Sequence, residues 1–423
     1  MTLIEFFDKC PLENIIGSLA LRPGRVIFLG SNRPKMEAAL TAIRKICREQ
    51  ELHAIISYRM VAKNDITGVL TVLRDILSQD NALSREEEYV FDCSGGDEAS
   101  LVAVGLAFRF THSRLFRIQC ETRRGVLYKI PAHASGEIVR EPYDGTDKIY
   151  MTVAQNLLLH GGNLEEDMVS ENASAGYPFR DSVYGDINRL WEICRRDCAA
   201  WNTQISRLSN ALRSIDEEKS AFRLEEDSPG NSRLDDGFLH ALTQTGSMMI
   251  ADDGKHKTCT FRNPYMRDCL TKAGTLLEYK TYMTAFHYRH GAYPTPFTDG
   301  CPGVVIRWND ARNTSRNEID VLLMQGVIPY FISCKNGDIK TDELYKLSTV
   351  AGRFGQKYAH RILVSTTYFE ENRSESAAQS LRERAKEMNI RLIERVHRMD
   401  DRTFYEALTG EAHKLSEMRD WIV

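Results

Sequence analysis

The N-terminal third of the chain alternates compact apolar runs with segments of helical periodicity, and this alternation constrains the fold more than any other feature. The predicted strands are Arg25 to Gly30, His53 to Tyr58, Glu88 to Cys93 and Phe116 to Cys120. Helical patterns between them begin near Pro34, Ile66 and Asp97. Strands joined by helices predict a doubly wound parallel sheet, because a helical crossover returns the chain parallel to its previous strand. The third helix, Asp97 to Phe108, is apolar on all sides, so we expect it to be deeply buried.

Two loops follow predicted strands of this sheet at their carboxyl ends, where open α/β sheets bind ligands. The loop residues are Ser31, Asn32 and Arg33 in the first loop, and Ser94, Gly95, Gly96 and Asp97 in the second. Glycines let backbone N–H groups approach a phosphate, and the helix that follows presents its positive end. A tight strand-to-helix turn capped by Asp97 explains the same glycines, so both interpretations stay open. The sequence has no GxGxxG pattern, which disfavours a dinucleotide coenzyme.

The middle of the chain separates this sheet from a second ordered region. Asp186 to Phe222 has the pattern of one long amphipathic helix, and the polar stretch Glu225 to Gly237 is predicted as a linker. A short helix, Phe238 to Leu242, then precedes a hairpin that turns at Asp253-Gly254. A helix followed by such a hairpin resembles a winged-helix fragment.

The last 150 residues have an order of elements of their own. The predicted order is a helix at Lys272 to His287, strands at Val304 to Trp308, Glu318 to Met324 and Pro329 to Cys334, a helix at Thr341 to Ala351, and a strand at Ala359 to Ser365. A further helix, strand and closing helix follow. We therefore predict a Rossmann-like domain over 1–150, a helical linker region over 151–237 and a C-terminal domain over 238–423. Within the last domain, 238–270 is the winged-helix-like piece and 271–423 is the core.

The strongest chemical signal lies in two neighbouring strands of this core. Side chains alternate faces along a strand, so Glu318 and Asp320 share a face, and so do Ser333 and Lys335 on the next strand. A short connection predicts that the strands form a hairpin, in which carboxylates face a lysine. Carboxylates bind Mg²⁺ or Mn²⁺, and a lysine neutralises charge that builds up during phosphodiester hydrolysis. The alternative is a surface ion pair between Asp320 and Lys335.

The order of elements, Asp320 and the Ser-Cys-Lys sequence together resemble the PD-(D/E)xK restriction-endonuclease-like superfamily. The resemblance implies a metal-dependent nuclease in which Asp320 and Lys335 are catalytic. Glu278, on the preceding helix, and Glu318 are further candidates for the catalytic carboxylates. Ser333 occupies the position of the usual acid, so either Glu318 or Glu278 supplies that carboxylate or the core is inactive. The implied metal ligands are Asp320, Glu278, Glu318 and the backbone carbonyl of Cys334.

The N-terminal loops resemble the ligand loops of CARF domains, which are CRISPR-associated Rossmann folds. The glycines of Asp-Cys-Ser-Gly-Gly-Asp match the family pattern, whereas Asp97 and Glu98 replace its usual threonine and lysine. A CARF domain followed by a PD-(D/E)xK core resembles the cyclic-oligoadenylate-activated ancillary nucleases of type III CRISPR antiviral defence. The resemblance implies a homodimer that binds a two-fold symmetric activator such as cyclic tetra-adenylate. The expected substrates are single-stranded DNA or RNA, or a nicked duplex.

Charge and composition fit a cytoplasmic protein whose C-terminal part contacts a polyanion. Residues 238–423 carry 26 Lys and Arg against 23 Asp and Glu, whereas the rest of the chain carries 29 against 36. The ten cysteines form no CxxC pair, so we interpret them as reduced thiols. No apolar run approaches the roughly 20 residues of a membrane helix, so we expect no membrane association.

Two other functions compete with an activated nuclease. In one, the core is inactive and the protein is a ligand-responsive regulator whose winged-helix-like piece, Leu239 to Phe261, binds DNA. In the other, the protein is a restriction or repair nuclease in which the Rossmann-like part only dimerises. Loss of cleavage in Asp320→Ala distinguishes the nucleases from the regulator, and dependence on a cyclic nucleotide distinguishes the two nucleases.

Overall fold

The computed structural model is of mixed α/β class, with three β-sheets. It describes residues 1–81, 89–108, 114–121, 124–130, 139–142, 149–165, 181–216, 221–224, 234–255, 257–287, 295–308, 316–367 and 374–420. Most of the predicted polar linker lies outside the described residues. Among the described helices, none is both long enough and apolar enough to cross a membrane.

The N-terminal sheet has seven strands in the order β3-β2-β1-β4-β5-β6-β7. They are β1 (Thr2–Phe6), β2 (Arg25–Gly30), β3 (Ile55–Met60), β4 (Tyr89–Asp92), β5 (Arg114–Glu121), β6 (Arg124–Ile130) and β7 (Val139–Pro142). The first five strands are parallel, and β6 and β7 add an antiparallel edge. The predicted parallel sheet is therefore confirmed. Strand β1, the middle one of the five parallel strands, was not among the predicted strands.

Helices cover both faces of this sheet. They are α1 (Ile16–Leu21), α2 (Arg33–Glu49), α3 (Ile66–Asn81) and α4 (Glu98–Phe108). The first two pack on one face and the last two on the other, because alternate residues of β1 and β2 point to opposite faces. The prediction that the third helix is buried on all sides is wrong. Val102 and Leu106 on α4 are 50% and 42% exposed, because α4 packs on the sheet and α3 along only part of its surface.

A short segment joins the N-terminal sheet to the C-terminal one. Helix α5 (Val153–Leu159) packs on α2, and strand β8 (Gly162–Leu164) is the edge strand of the C-terminal sheet. The Gln155 side chain donates to Glu49 on α2 (3.0 Å) and the Asn156 side chain donates to the Phe354 carbonyl (2.9 Å). One hydrophobic core therefore runs from the N-terminal sheet into the C-terminal one.

The middle region is built from helices and a four-stranded antiparallel sheet, ordered β11-β12-β10-β9. Its elements are α6 (Asp181–Cys194), α7 (Cys198–Ala211), β9 (Leu212–Asp216), β10 (Ala221–Leu224), α8 (Asp236–Gln244), β11 (Met248–Asp252) and β12 (Lys257–Phe261). The predicted hairpin at Asp253-Gly254 is confirmed as β11 and β12. The prediction of a single long helix was wrong, because the Asp197 side chain accepts the Ala200 N–H and starts a new helix.

The C-terminal sheet has six strands in the order β17-β16-β15-β14-β13-β8. Its elements are α9 (Pro264–Thr271), α10 (Thr275–His287), β13 (Asp299–Trp308), β14 (Arg316–Gln325), β15 (Ile328–Lys335), α11 (Thr341–Phe354), β16 (His360–Ser365), α12 (Glu375–Glu387), β17 (Ile390–Ile393) and α13 (Asp401–Asp420). Strands β13 to β15 are antiparallel, and β15, β16 and β17 are parallel. The predicted order of elements is confirmed, with α9 as an additional helix before α10. The boundaries of the predicted domains stay predictions.

Candidate functional site

The hairpin of β14 and β15 brings Asp320 beside Ser333 and Lys335. The strands pair from Val321 opposite Ile332, so Asp320 lies just beyond the last paired residue. Its Oδ2 accepts hydrogen bonds from the Cys334 backbone N–H (2.6 Å) and the Ser333 hydroxyl (3.1 Å), and it lies 3.5 Å from Lys335 Nζ. Among the described contacts, all three involve Oδ2, which leaves Oδ1 available to a ligand. Ser333 thus acts as a hydrogen-bond donor that orients the Asp320 carboxylate.

Lys335 lies between two carboxylates. Its Nζ is 3.5 Å from Asp320 Oδ2 and 3.2 Å from Glu343 Oε2, and Glu343 also pairs with Lys346 at 3.0 Å. Partial burial alone would lower the pKa of Lys335, but the charges of Asp320 and Glu343 outweigh burial and raise that pKa above its ordinary value. Lys335 therefore stays an ammonium throughout the neutral range. Glu343, in the first turn of α11, was not among the predicted site residues.

Glu278 on α10 belongs to the same neighbourhood. Burial raises the pKa of its carboxyl to about 8, and the charges of Asp320 and Glu318 add to the rise. The two residues whose charges add to this rise are thus the two carboxylates of β14. Three acids share one region, and the positive charges of Lys335 and Lys272 partly oppose the rise in the pKa of Glu278.

This donor set fits a small oxygen-seeking cation held by one or two carboxylates. Within the described ranges, no group of three or more His, Cys, Asp or Glu side chains has the spacing of a complete metal site. Mg²⁺ commonly takes only one or two protein carboxylates, and waters and substrate phosphates complete its shell. Burial is the main cause of the raised pKa of Glu278, and the negative charges of Asp320 and Glu318, which add to the rise, are charges that a cation would neutralise. Cys334 contributes its N–H to Asp320, and the ligand role of its carbonyl stays a prediction.

A cleft of about 540 Å³ opens beside these residues. Glu318, Asp320, Ser333 and Lys335 line the sheet side, while Glu343, Tyr345 and Lys346 line the side of α11. The side chain of Lys346 is 70% exposed at the mouth of the cleft. The cleft therefore combines partly exposed acidic residues with cationic and aromatic groups near its opening.

The two predicted ligand loops lie after β2 and β4. In the first, the Asn32 side chain accepts the Lys35 N–H at 3.1 Å and caps α2, and Arg33 pairs with Glu37 at 3.0 Å. In the second, Asp97 accepts the Ser100 N–H at 2.7 Å and starts α4. The loops leave Ser31, Asn32 and Arg33 exposed.

The glycines of the second loop have a structural reason as well. Gly96 has a φ of 106°, and a Cβ on it would lie 2.8 Å from Cβ of Phe6. A Cβ on Gly95 would lie 2.9 Å from Cβ of Asp8. The Gly96 N–H donates to Asp8 Oδ2 at 3.2 Å. The loop thus packs on the end of β1, and Asp8 is a polar residue of this site that the sequence did not indicate.

Behind the second loop, two carboxyl groups are buried side by side. Glu5 on β1 and Asp92 on β4 are register partners, and they are 1% and 2% exposed. Glu5 accepts a hydrogen bond from the Ser18 hydroxyl at 3.0 Å, and Asp92 accepts the Ser94 N–H at 2.7 Å. Burial raises the pKa of Glu5 well above its ordinary value, and the charge of Asp92 raises it further. Glu5 therefore binds a proton more readily than a free carboxyl group does.

Comparison with known proteins identifies the fold. No protein-family model and no curated protein matches the chain. Protein VC1899 from Vibrio cholerae is similar over 98% of this chain and 98% of its own, with a TM-score of 0.71 and 18% identity. Can2 from Sulfobacillus thermosulfidooxidans, solved in complex with cyclic tetra-adenylate, is similar over 99% and 97%, with a TM-score of 0.61 and 15% identity.

A third structure is similar over a smaller part of its length. A type III CRISPR defence DNA nuclease activated by cyclic oligoadenylate matches 87% of this chain and 45% of its own, with a TM-score of 0.50 and 13% identity. These three structures share the fold of this chain. The resemblance read from the loops and the β14–β15 hairpin is confirmed at the level of the fold.

Proposed function

We propose that the chain is a metal-dependent nuclease of antiviral type III CRISPR defence, activated by a cyclic oligoadenylate. The arrangement of Lys335 between Asp320 and Glu343, beside Glu278 and at the floor of an open cleft, is the observation that carries this proposal. The fold shared with Can2 and with the defence DNA nuclease supports it. Expected substrates are single-stranded DNA or RNA, or a nicked duplex, in the cytoplasm.

In this proposal each residue of the cleft has a separate role. Asp320 and Glu278 would hold Mg²⁺ or Mn²⁺, with Glu318 as a further candidate ligand, and such a cation would supply Lewis-acid activation of water and phosphate. Lys335 is an ammonium next to the cleft, so it stabilises the charge that develops on the phosphate. The Ser333 hydroxyl and the Cys334 N–H fix the orientation of Asp320.

The activator site in the proposal is formed by the two loops of the N-terminal sheet. Phosphates of cyclic tetra-adenylate would contact the exposed loop after β2 and the glycine loop after β4. A two-fold symmetric ring requires two copies of these loops, hence a homodimer. Val102 and Leu106 on α4 and Ile66 on α3 are exposed apolar residues on two helices that contact each other, and such residues favour contact with a second copy.

A metal titration tests the catalytic part of the proposal. Labelled single-stranded DNA, single-stranded RNA and plasmid are incubated with cyclic tetra-adenylate and either Mn²⁺, Mg²⁺ or EDTA, using the natural chain and Asp320→Ala. We expect cleavage with a divalent cation, loss of cleavage with EDTA, and none in Asp320→Ala. Cleavage that persists in EDTA, or in the variant, would place the chemistry elsewhere.

A second function, a ligand-responsive DNA-binding regulator, is favoured by one observation. Ser333 stands where the superfamily has an acid. In that case the helix α8 and the hairpin of β11 and β12 contact DNA. Specific binding of duplex DNA, modulated by cyclic tetra-adenylate and without cleavage in either metal, would establish the regulator instead.

A further inference from the structure

A second polar pocket lies at the opposite end of the C-terminal sheet from Lys335. It has a volume of about 430 Å³ and is formed by the amino ends of β16 and β17 and the carboxyl half of α12. We call it the distal pocket, and its charged residues are Arg361, Arg382, Lys386, Arg391 and Glu394. Four cations against one carboxylate give it a formal charge of +3. Such an excess is expensive to maintain unless an anion shares the pocket.

The cations of the distal pocket are only partly neutralised by the protein. Arg382 pairs with Glu394 at 3.3 Å, which uses the pocket's carboxylate. Arg361 Nε and Arg391 Nη1 are buried and have no hydrogen-bond partner among the described residues. Burial lowers the pKa of Arg361, and within the described chain no acidic group opposes that shift. Two guanidinium groups that line the pocket thus each have a buried N–H that no described group accepts.

The distal pocket and the cleft lie along one face of the sheet. Arg361 and Ser365 are four residues apart on β16 and so point to the same face, and Ser365 is the register partner of Lys335. At roughly 3.3 Å per residue along β16, Arg361 lies about 13 Å from Ser365, the residue that pairs with Lys335.

Side chains of α11 and α12 connect the two sites. Arg384 on α12 donates to the Tyr345 hydroxyl, and its guanidinium lies 5.9 Å from the Tyr345 ring centroid. Tyr345 lines the cleft, whereas Arg382 and Lys386, on either side of Arg384 in sequence, line the distal pocket. Residues two apart on a helix project from different flanks, so Arg384 faces α11 from one flank of α12, and Arg382 and Lys386 face the distal pocket from the other.

We propose that the distal pocket binds a backbone phosphate of the nucleic acid strand that occupies the cleft, several nucleotides away from the scissile bond. The inference rests on the proposed nuclease function and names a second contact with its substrate. Guanidinium groups match phosphate oxygens in shape and charge, and phosphate contacts fix the position of a strand without reading its sequence. The pocket sets a minimum substrate length and leaves the catalytic chemistry unchanged.

Binding measurements on non-cleaving protein test this directly. Asp320→Ala serves as the background, with saturating cyclic tetra-adenylate and a fluorescent single strand of about 20 nucleotides, longer than one binding module covers. Lys386→Glu is added because Lys386 is exposed and its replacement spares the core. Lys45→Glu is the matched control, an exposed helical lysine on the N-terminal domain. We expect Lys386→Glu to bind about tenfold more weakly at low salt and to lose about one unit of salt slope, with Lys45→Glu unchanged.

Two further arms separate the sources of phosphate and the two proposals. If Lys386→Glu and Lys45→Glu bind the strand equally well, the proposal that the distal pocket binds the strand is wrong. It is also wrong if inorganic phosphate shifts the NMR resonances of Arg361 and Lys386 but has no effect on strand binding. Cleavage of a trinucleotide, which cannot span both sites, should be equal in the natural chain and Lys386→Glu. Because binding is measured without cleavage, an inactive enzyme with intact strand binding would refute the nuclease and leave the pocket standing.

Discussion

The protein has two places where carboxyl groups gather at strand ends, and they differ in what surrounds them. In the N-terminal sheet, Glu5 and Asp92 are almost fully buried, and Ser18 and the Ser94 N–H are their hydrogen-bond donors. In the C-terminal sheet, Asp320 borders a cleft and lies beside the ammonium of Lys335. Burial raises the pKa of Glu5 and of Glu278 alike, so a shifted pKa does not by itself identify a reactive site.

Access and a neighbouring cation make the difference between the two groups. The N-terminal pair is closed to solvent and lies under the loop that it supports. An open group with a fixed lysine can accept a cation and a phosphate. We therefore assign chemistry to the C-terminal group and a supporting role to the N-terminal one, and each of the following substitutions tests that assignment.

The largest effect is expected at Asp320. Asp320→Asn keeps the size of the side chain but removes the charge that binds a cation, so cleavage should fall by about a thousandfold or more. The matched substitution Asp92→Asn should change the cleavage rate at saturating activator by less than about threefold, because Asp92 lies in the other sheet. Rates are measured on labelled single strands in Mn²⁺. Similar losses in both variants would erase the distinction between the two groups.

Lys335 is expected to rank next. Lys335→Met removes the ammonium but keeps the length of the chain, and the loss of one charge-stabilising donor costs about a hundredfold in rate. The affinity for Mn²⁺ should hold or rise, since a cation leaves the neighbourhood of Asp320. A normal rate in Lys335→Met would make its contact with Asp320 a structural ion pair.

A smaller effect is expected at Glu343, which we interpret as a positioning residue for Lys335. Glu343→Gln removes one of the two carboxylates that hold the ammonium, so the rate should fall by about tenfold. The pKa of Lys335 should also move down, because Glu343 contributes to raising it. Loss of activity at a lower pH than in the natural chain, with Glu343→Asp closer to normal, distinguishes positioning from a folding defect. An unchanged pH profile would contradict this role.

The smallest effect concerns the pH dependence of stability in the N-terminal sheet. The folded-state pKa of Glu5 is raised, so its protonated form contributes stability at low pH, and that contribution is lost as pH rises through the raised value. Glu5→Gln cannot ionise, so in that window its free energy of unfolding should decline less steeply, by on the order of 1 kcal/mol per pH unit. Urea unfolding at a series of pH values measures this. Parallel slopes for both proteins would show that Glu5 is not protonated in the folded chain.

Much of the fold could be predicted from local sequence patterns, whereas several contacts between residues of the site depend on how helices pack on the sheet. Alternation along two strands with a short turn placed Asp320 near Lys335, because a hairpin fixes register locally. Glu343 could not be predicted, since its contact with Lys335 depends on how α11 packs against the sheet. Strand β1, the middle one of the five parallel strands, was not predicted because it is only five residues long and is buried throughout. The sequence does not distinguish Arg361 from other strand residues, because its place in one pocket with Lys386 depends on how α12 packs.

The central claim is that activator binding at one sheet permits cleavage at the other. The most direct measurement is the rate of cleavage of single-stranded RNA, single-stranded DNA and plasmid in Mn²⁺, with and without cyclic tetra-adenylate, with Asp320→Ala in parallel. The account predicts cleavage only when the activator is present and Asp320 is intact. Equal rates with and without the activator would contradict the coupling, and no cleavage under any of these conditions would contradict the nuclease itself.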